Sequence, residues 1–258
     1  MIDLGFQLWF APAGAGAQDA GPRTVAIDVG LGGVGSGDPG PSQARGWRPM
    51  ARQQGLVARL QRLVSIAGPF YYIAFVTLLG LLWAGYDPIS QTQSELGAVD
   101  APHGLLMNVA GFMALGVVIL AFAATVHRTL GPSPWRAAVT LLLAVAGLGM
   151  ITVGFFPCDA GCIDVTRTSE LHSTFSMPGA IGLPAALVVS SLAFRSDGRF
   201  GPAWPTVSFL LGLATLASGP IVAADLLPDH LGLLQRVGMW APILWMSAVS
   251  LRLNAVAE

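Results

Sequence analysis

The sequence predicts an all-α integral membrane bundle of six transmembrane helices, with both termini in the cytoplasm. Three observations predict it. Hydrophobic residues make up 53% of the chain and charged residues only 10%, where soluble domains carry about 25% charged residues. The apolar residues fall into six runs, most of them roughly 20 residues long, enough to cross a ~30 Å hydrocarbon layer as a helix. The basic residues between the runs fall on alternate connections.

Residues 1–49 differ in kind. They are rich in Gly, Ala and Pro, show no lasting period, and read as a disordered tail. The apolar stretch from Phe6 to Ala17 is short for a signal peptide and has no basic residue before it. A compact leader with Arg52, Arg59 and Arg62 follows Met50 at once, so translation starting at Met50 is one expectation and a transmembrane domain over 50–258 is another.

The runs are expected at 63–83, 105–126, 137–156, 173–194, 203–224 and 237–251. One set of connections holds Arg52, Arg59, Arg62, Arg128, Arg136, Arg195, Arg199 and Arg252. The other holds only Arg167 and Arg236, against eight acidic residues from Asp87 to Asp229. The positive-inside rule puts the first set in the cytoplasm and implies a plasma-membrane, multi-pass protein. Trp83, Tyr86 and Trp240 suit the outer interface, and Trp135 and Trp204 the inner one. Small residues (Ala110 with Ala114, Gly147 with Gly154, Gly179 with Gly182, Gly212 with Gly219) allow close helix packing. Pro178, Pro184, Pro220 and Pro242 are expected to kink their helices.

Composition also excludes chemistry. A net charge of -1 gives no reason to expect nucleic acid as a partner. Every basic residue is arginine, so no lysine Schiff base is available. The middle of each expected span has no Asp, Glu, Arg or His, which argues against proton-coupled transport.

The outer side is richer. Ser94, Glu95, Asp100, His103, Asp159 and His172 share it and form the expected ligand-binding or structural cluster. Glu95 and His172 are the candidate catalytic pair. His103, His172 and Asp159 are the candidate metal ligands, which would hold a Zn²⁺ whose bound water hydrolyses a lipid ester or amide. No H-E-x-x-H spacing supports that reading, and helix capping is the plainer role for such residues. Ser94 is expected to cap a short helix beginning at Glu95, and Glu95 to pair with His172 or Arg167 across two loops. Cys158 and Cys162, facing an oxidising exterior, are expected to form a disulfide.

At these loops the chain resembles a family of multi-pass membrane proteins, the domain of unknown function numbered 998. The resemblance rests on Tyr86-Asp87-Pro88, Ser90, Ser94-Glu95-Leu96-Gly97, Asn108, Gly111, Gly154-Phe155-Phe156-Pro157, Asp159 and His172. It implies a six-helix bundle and marks Ser94, Glu95, Asp159 and His172. It implies no activity, and the cysteine pair is an addition to its pattern.

The expected function is therefore a non-catalytic membrane protein whose outer polar cluster binds a lipid, a small apolar ligand or a membrane partner, a second copy included. Alternatives are the metal-dependent, membrane-embedded lipid hydrolase and a facilitator for an uncharged solute. No cofactor is expected outside the zinc reading.

Overall fold

The computed structural model describes residues 43–223 and 226–255, and all regular structure among them is helical. Residues 1–42 of the expected disordered tail lie outside the described residues; residues 43–49 are helical instead, and the expected start at Met50 falls inside that same helix. Helix α1 is Gln43–Leu82. Helix α2 is Gly104–Thr129; it is π-helical over Met107–Met113 and α-helical on both sides. Then come α3 (Pro134–Val153), α4 (Arg167–Ser196), α5 (Ala203–Ala223) and α6 (Leu231–Ala255). Three short 3₁₀ turns, Ser94–Gly97, Ala160–Cys162 and Pro228–His230, lie in the loops.

Among the described residues five helices are long and apolar enough to cross a membrane: Gly55–Leu82, Gly104–Thr129, Pro134–Val153, Arg167–Ser196 and Ala203–Val222. The sixth expected span falls short of that measure. Gln235 and Arg236 near the start of α6, and Arg252 and Asn254 near its end, dilute its apolar stretch. Helices α4 and α6 also begin about six residues before the expected spans, so His172 and Arg236 lie inside helices rather than in loops.

Local sequence explains the starts. Ser133 Oγ accepts the amide of Arg136 at 3.1 Å, with Pro134 as the first helical residue of α3. Thr166 Oγ1 accepts the amide of Ser169 at 3.3 Å and caps α4. The core between helices contains Phe122, Leu143, Leu187, Phe194 and Met246, all buried, with Trp245 edge-on to Phe122. Leu81, Leu141 and Phe70 are exposed on the outside of the bundle, as lipid-facing side chains are.

Helices α2 and α3 touch through backbone. A Cβ on Gly116 would stand 2.5 Å from the Gly147 carbonyl oxygen, and one on Gly147 would stand 2.9 Å from that of Gly116. Lipid gives helices no hydrophobic reason to associate, so this close approach is what packs them. Gly147 therefore works with Gly116 rather than with Gly154, which abuts the Asn108 carbonyl instead; a Cβ on Gly219 would meet nothing within 4 Å among the described residues.

A polar clamp closes the arginine-rich end. Asp197, buried, accepts from Arg199 Nη2 at 2.6 Å and from the Gly131 amide at 3.0 Å. Arg199 also donates to the Thr129 carbonyl at 2.7 Å, and Arg252 donates to the Arg199 carbonyl at 2.6 Å. The α2–α3 loop, the α4–α5 loop and the end of α6 are thereby tied. The Arg199 guanidinium holds the Asp197 carboxyl at about 2, below the ordinary 3.8, with the Gly131 amide helping. A carboxyl lowered on folding stabilises the fold above its unfolded value; that stabilisation is lost as pH falls from 3.8 through about 2. Asp197→Asn is expected to cost about 1–2 kcal/mol at neutral pH, discounted because Arg199 is partly solvated. Melting temperatures of the wild type and variant in detergent should differ at pH 7 and converge as the pH is lowered over that window. A constant difference down to the acid limit would refute the assignment.

Candidate functional site

The connections at the other end meet one another. The 83–103 loop sits on the start of α6: Ser90 and Ile89 carbonyls accept the amides of Gly232 (3.2 Å) and Leu233 (2.9 Å). A Cβ on Gly232 would stand 2.0 Å from the Gln91 carbonyl oxygen, so only glycine admits this contact. Arg236, 7% exposed, completes it. Its guanidinium donates to the carbonyls of Pro88 (2.7 Å), Gln91 (2.9 Å) and Gly232 (3.0 Å) and to the Tyr86 hydroxyl. Tyr86 in turn donates to the Thr92 carbonyl at 2.7 Å. Burial lifts the Tyr86 phenol above its usual range, against the opposing pull of Arg236. Gln93 is fully buried; its amide donates to Gln235 Oε1 at 2.7 Å, and Gln235 Nε2 donates to Ser94 Oγ at 3.1 Å.

The 154–166 loop joins from the other side, where the Val99 amide donates to the Cys158 carbonyl at 2.9 Å. Cys158 and Cys162 form the disulfide the sequence predicts. Cys158 Sγ lies 3.6 Å from the Ser94 carbonyl oxygen; a disulfide sulfur has no proton to donate, so this is packing contact. His172 lies under the loop, 4% exposed and edge-on to Phe112. Its Nδ1 is 2.7 Å from the Phe156 carbonyl oxygen, while its Nε2 is buried with no hydrogen-bond partner among the described residues.

Between the loops lies a cleft of about 710 Å³, lined by Val99, His103, Leu106, Val109, Met113 and Phe155 among others. Asn108 also lines it, in the π-helical segment, and its Nδ2 donates to the Gly97 carbonyl at 2.9 Å. The wider helical turn there recurs at functional sites.

The expected site residues divide. Glu95 does not reach His172 or Arg167. Its carboxylate accepts from the Thr92 amide at 2.8 Å, Thr92 Oγ1 at 3.1 Å and Gln91 Nε2 at 3.0 Å, while the Glu95 amide donates back to Thr92 Oγ1 at 3.4 Å. This is a capping box, legible as Thr-x-x-Glu in the sequence. Arg167 pairs with Glu170 at 2.7 Å instead. Ser94 is the first residue of its 3₁₀ turn, and its hydroxyl meets Gln235 rather than capping the turn. Asp159 accepts from the Thr166 amide at 2.7 Å, the Val165 amide at 3.0 Å and the Thr166 hydroxyl at 3.0 Å. The Thr166 amide above all keeps its carboxyl below the usual range, and the loop is closed by it. Asp87 is lowered likewise, by the Ser90 hydroxyl and then the Ile89 amide. Asp100 is exposed, and His103 stands at the cleft. Among the described residues, one group of three or more His, Cys, Asp or Glu side chains has donors close enough to share a cation: Cys158, Cys162 and His172, within 4.8 Å of one another. Neither His103 nor Asp159 belongs to it.

Sequence reasoning missed Arg236, Gln93 and Gln235. Arg236 was readable as one of two arginines on the acidic side, each beside a helix start.

Helices of this length and apolarity, closed by polar loops at one end, define a multi-helix membrane protein. The chain belongs to the family described as protein of unknown function DUF998, whose model matches residues 65–252. No curated protein and no solved structure matches the chain. The residues that carry the family pattern largely bind one another: Asp87 with Ser90, Asn108 with Gly97, Gly154 against Asn108.

Proposed function

We propose that this is a non-catalytic, six-span protein of the plasma membrane, with its arginine-rich end in the cytoplasm, and that its outer cleft binds an acyl chain of a membrane lipid. The cleft carries the reading. Its volume of about 710 Å³ lies in the range of small-molecule sites, roughly 300–1,000 Å³. Apolar side chains dominate its lining, Leu105, Leu106 and Val109 beside it are exposed, and His103 and Asn108 supply two polar groups. Two carboxylates expected to do chemistry, Glu95 and Asp159, are occupied in closing loops, which favours binding over hydrolysis. The arginine sorting supports the orientation, and the apolar face of α6 packed in the core supports a sixth span.

The full chain in nanodiscs, mixed with a phosphatidylglycerol that carries a diazirine on one acyl chain, tests the cleft. Cross-links are expected to concentrate in peptides covering 98–113 and 154–157, and Val109→Trp, which fills the cleft, should reduce them at least ~5-fold. Cross-links spread evenly over the exposed helix faces, or unmoved by Val109→Trp, would overturn the reading. Orientation is tested in a Cys158→Ser/Cys162→Ser background. An impermeant maleimide should label Asp100→Cys on intact cells and Arg195→Cys only after lysis; the reverse pattern would contradict it.

A further inference from the structure

We infer that, when the Cys158–Cys162 disulfide is reduced, the two sulfurs and His172 bind one thiophilic divalent cation of the zinc type. The loop is then closed by a covalent bond in one redox state and by a metal in the other.

Two observations carry this independently of the cleft. The first is proximity. Donor atoms of all three side chains lie within 4.8 Å of one another, and ligand atoms around a tetrahedral zinc stand roughly 3.5–4 Å apart. Small shifts in a five-residue loop suffice to bring them around one ion.

The second is the state of His172. The Phe156 carbonyl can only accept, so the Nδ1 that meets it at 2.7 Å carries the proton. Neutral imidazole then has its lone pair on Nε2, which is buried and has no partner among the described residues. A backbone carbonyl fixing one ring nitrogen while the other offers a bare lone pair is how protein holds a metal-binding histidine. Among the described residues no hydrogen-bond donor uses that lone pair; a cation would.

Charge and access agree. Two thiolates cancel the charge of a divalent ion, and a neutral complex suits a site in which Cys158 and His172 are buried. Cys162 is only half-buried, which gives the ion and a reductant a way in and leaves room for a water as fourth ligand. In reduction a small dithiol gives two electrons and two protons, the S–S bond becomes two thiols, and the dithiol leaves as its own disulfide. The cation then displaces both thiol protons to water.

The test uses the full-length protein in detergent, reduced with a phosphine, desalted without air, and titrated with Zn²⁺ against a chromophoric chelator. Reduced wild type should hold one equivalent and the oxidised protein less than ~0.2. Co²⁺ in its place should give a sulfur-to-metal charge-transfer band. His172→Ala should weaken binding at least ~10-fold. Cys162→Ser, in a loop position that leaves the helices intact, should do the same and serves if His172→Ala does not fold. The inference is overturned if reduced wild type holds no more zinc than Cys158→Ser/Cys162→Ser, if Co²⁺ gives no such band, or if a folded single variant binds as wild type does.

Discussion

The guanidinium of Arg236 holds the polar end of this molecule in place. Backbone groups close to a lipid interior need partners within the protein, and the 83–103 loop cannot supply its own with a sheet or a long helix. One arginine offers five N–H donors, and here they serve three carbonyls and the Tyr86 hydroxyl. Hydrogen bonds to a charged group contribute about 1.5–3 kcal/mol each before the cost of burying the charge. The net gain is therefore smaller than the count suggests. The loss on removing Arg236 is large, because each stranded carbonyl costs about 1–3 kcal/mol.

Other contacts follow from that placement. With the loop seated on α6, Gln93 and Ser94 meet Gln235, Val99 meets the Cys158 carbonyl, and Gly97 lies within reach of Asn108. Asn108 belongs to the π-helical turn, and Gly154 packs against its backbone. The cleft is the space left between these pieces. Its shape thus depends on an arginine that does not line it.

Much of the fold was legible in the chain. Apolar runs located the helices, and the 83–103 and 154–166 loops do touch, through the Val99 amide and the Cys158 carbonyl. The disulfide followed from spacing. Side-chain pairing at that end was less legible, for a physical reason. Glu95 was read as a tie between two loops, through His172 or Arg167, yet Thr92 and Gln91, within four residues, satisfy it. Asp159 likewise turns inward on Val165 and Thr166. Local hydrogen bonds win because closing a short loop costs little entropy. Arg236 was counted only as one of two arginines in the acidic connections; which carbonyls it reaches depends on the α6 helix starting earlier than its hydrophobicity suggests. His172 and the cysteines lie 10 or more residues apart, and only the fold of the loop places them together.

Hydrogen exchange on Arg236→Met tests the central dependence most directly. The amides of Gln93, Val99, Gly232 and Leu233 bond across the loop junctions in the wild type. Loss of the guanidinium should speed their exchange at least ~10-fold while amides in the middle of α3 and α4 keep their protection. Unchanged protection at those four amides in a folded variant would show that the loop holds its place without Arg236 and would contradict the account.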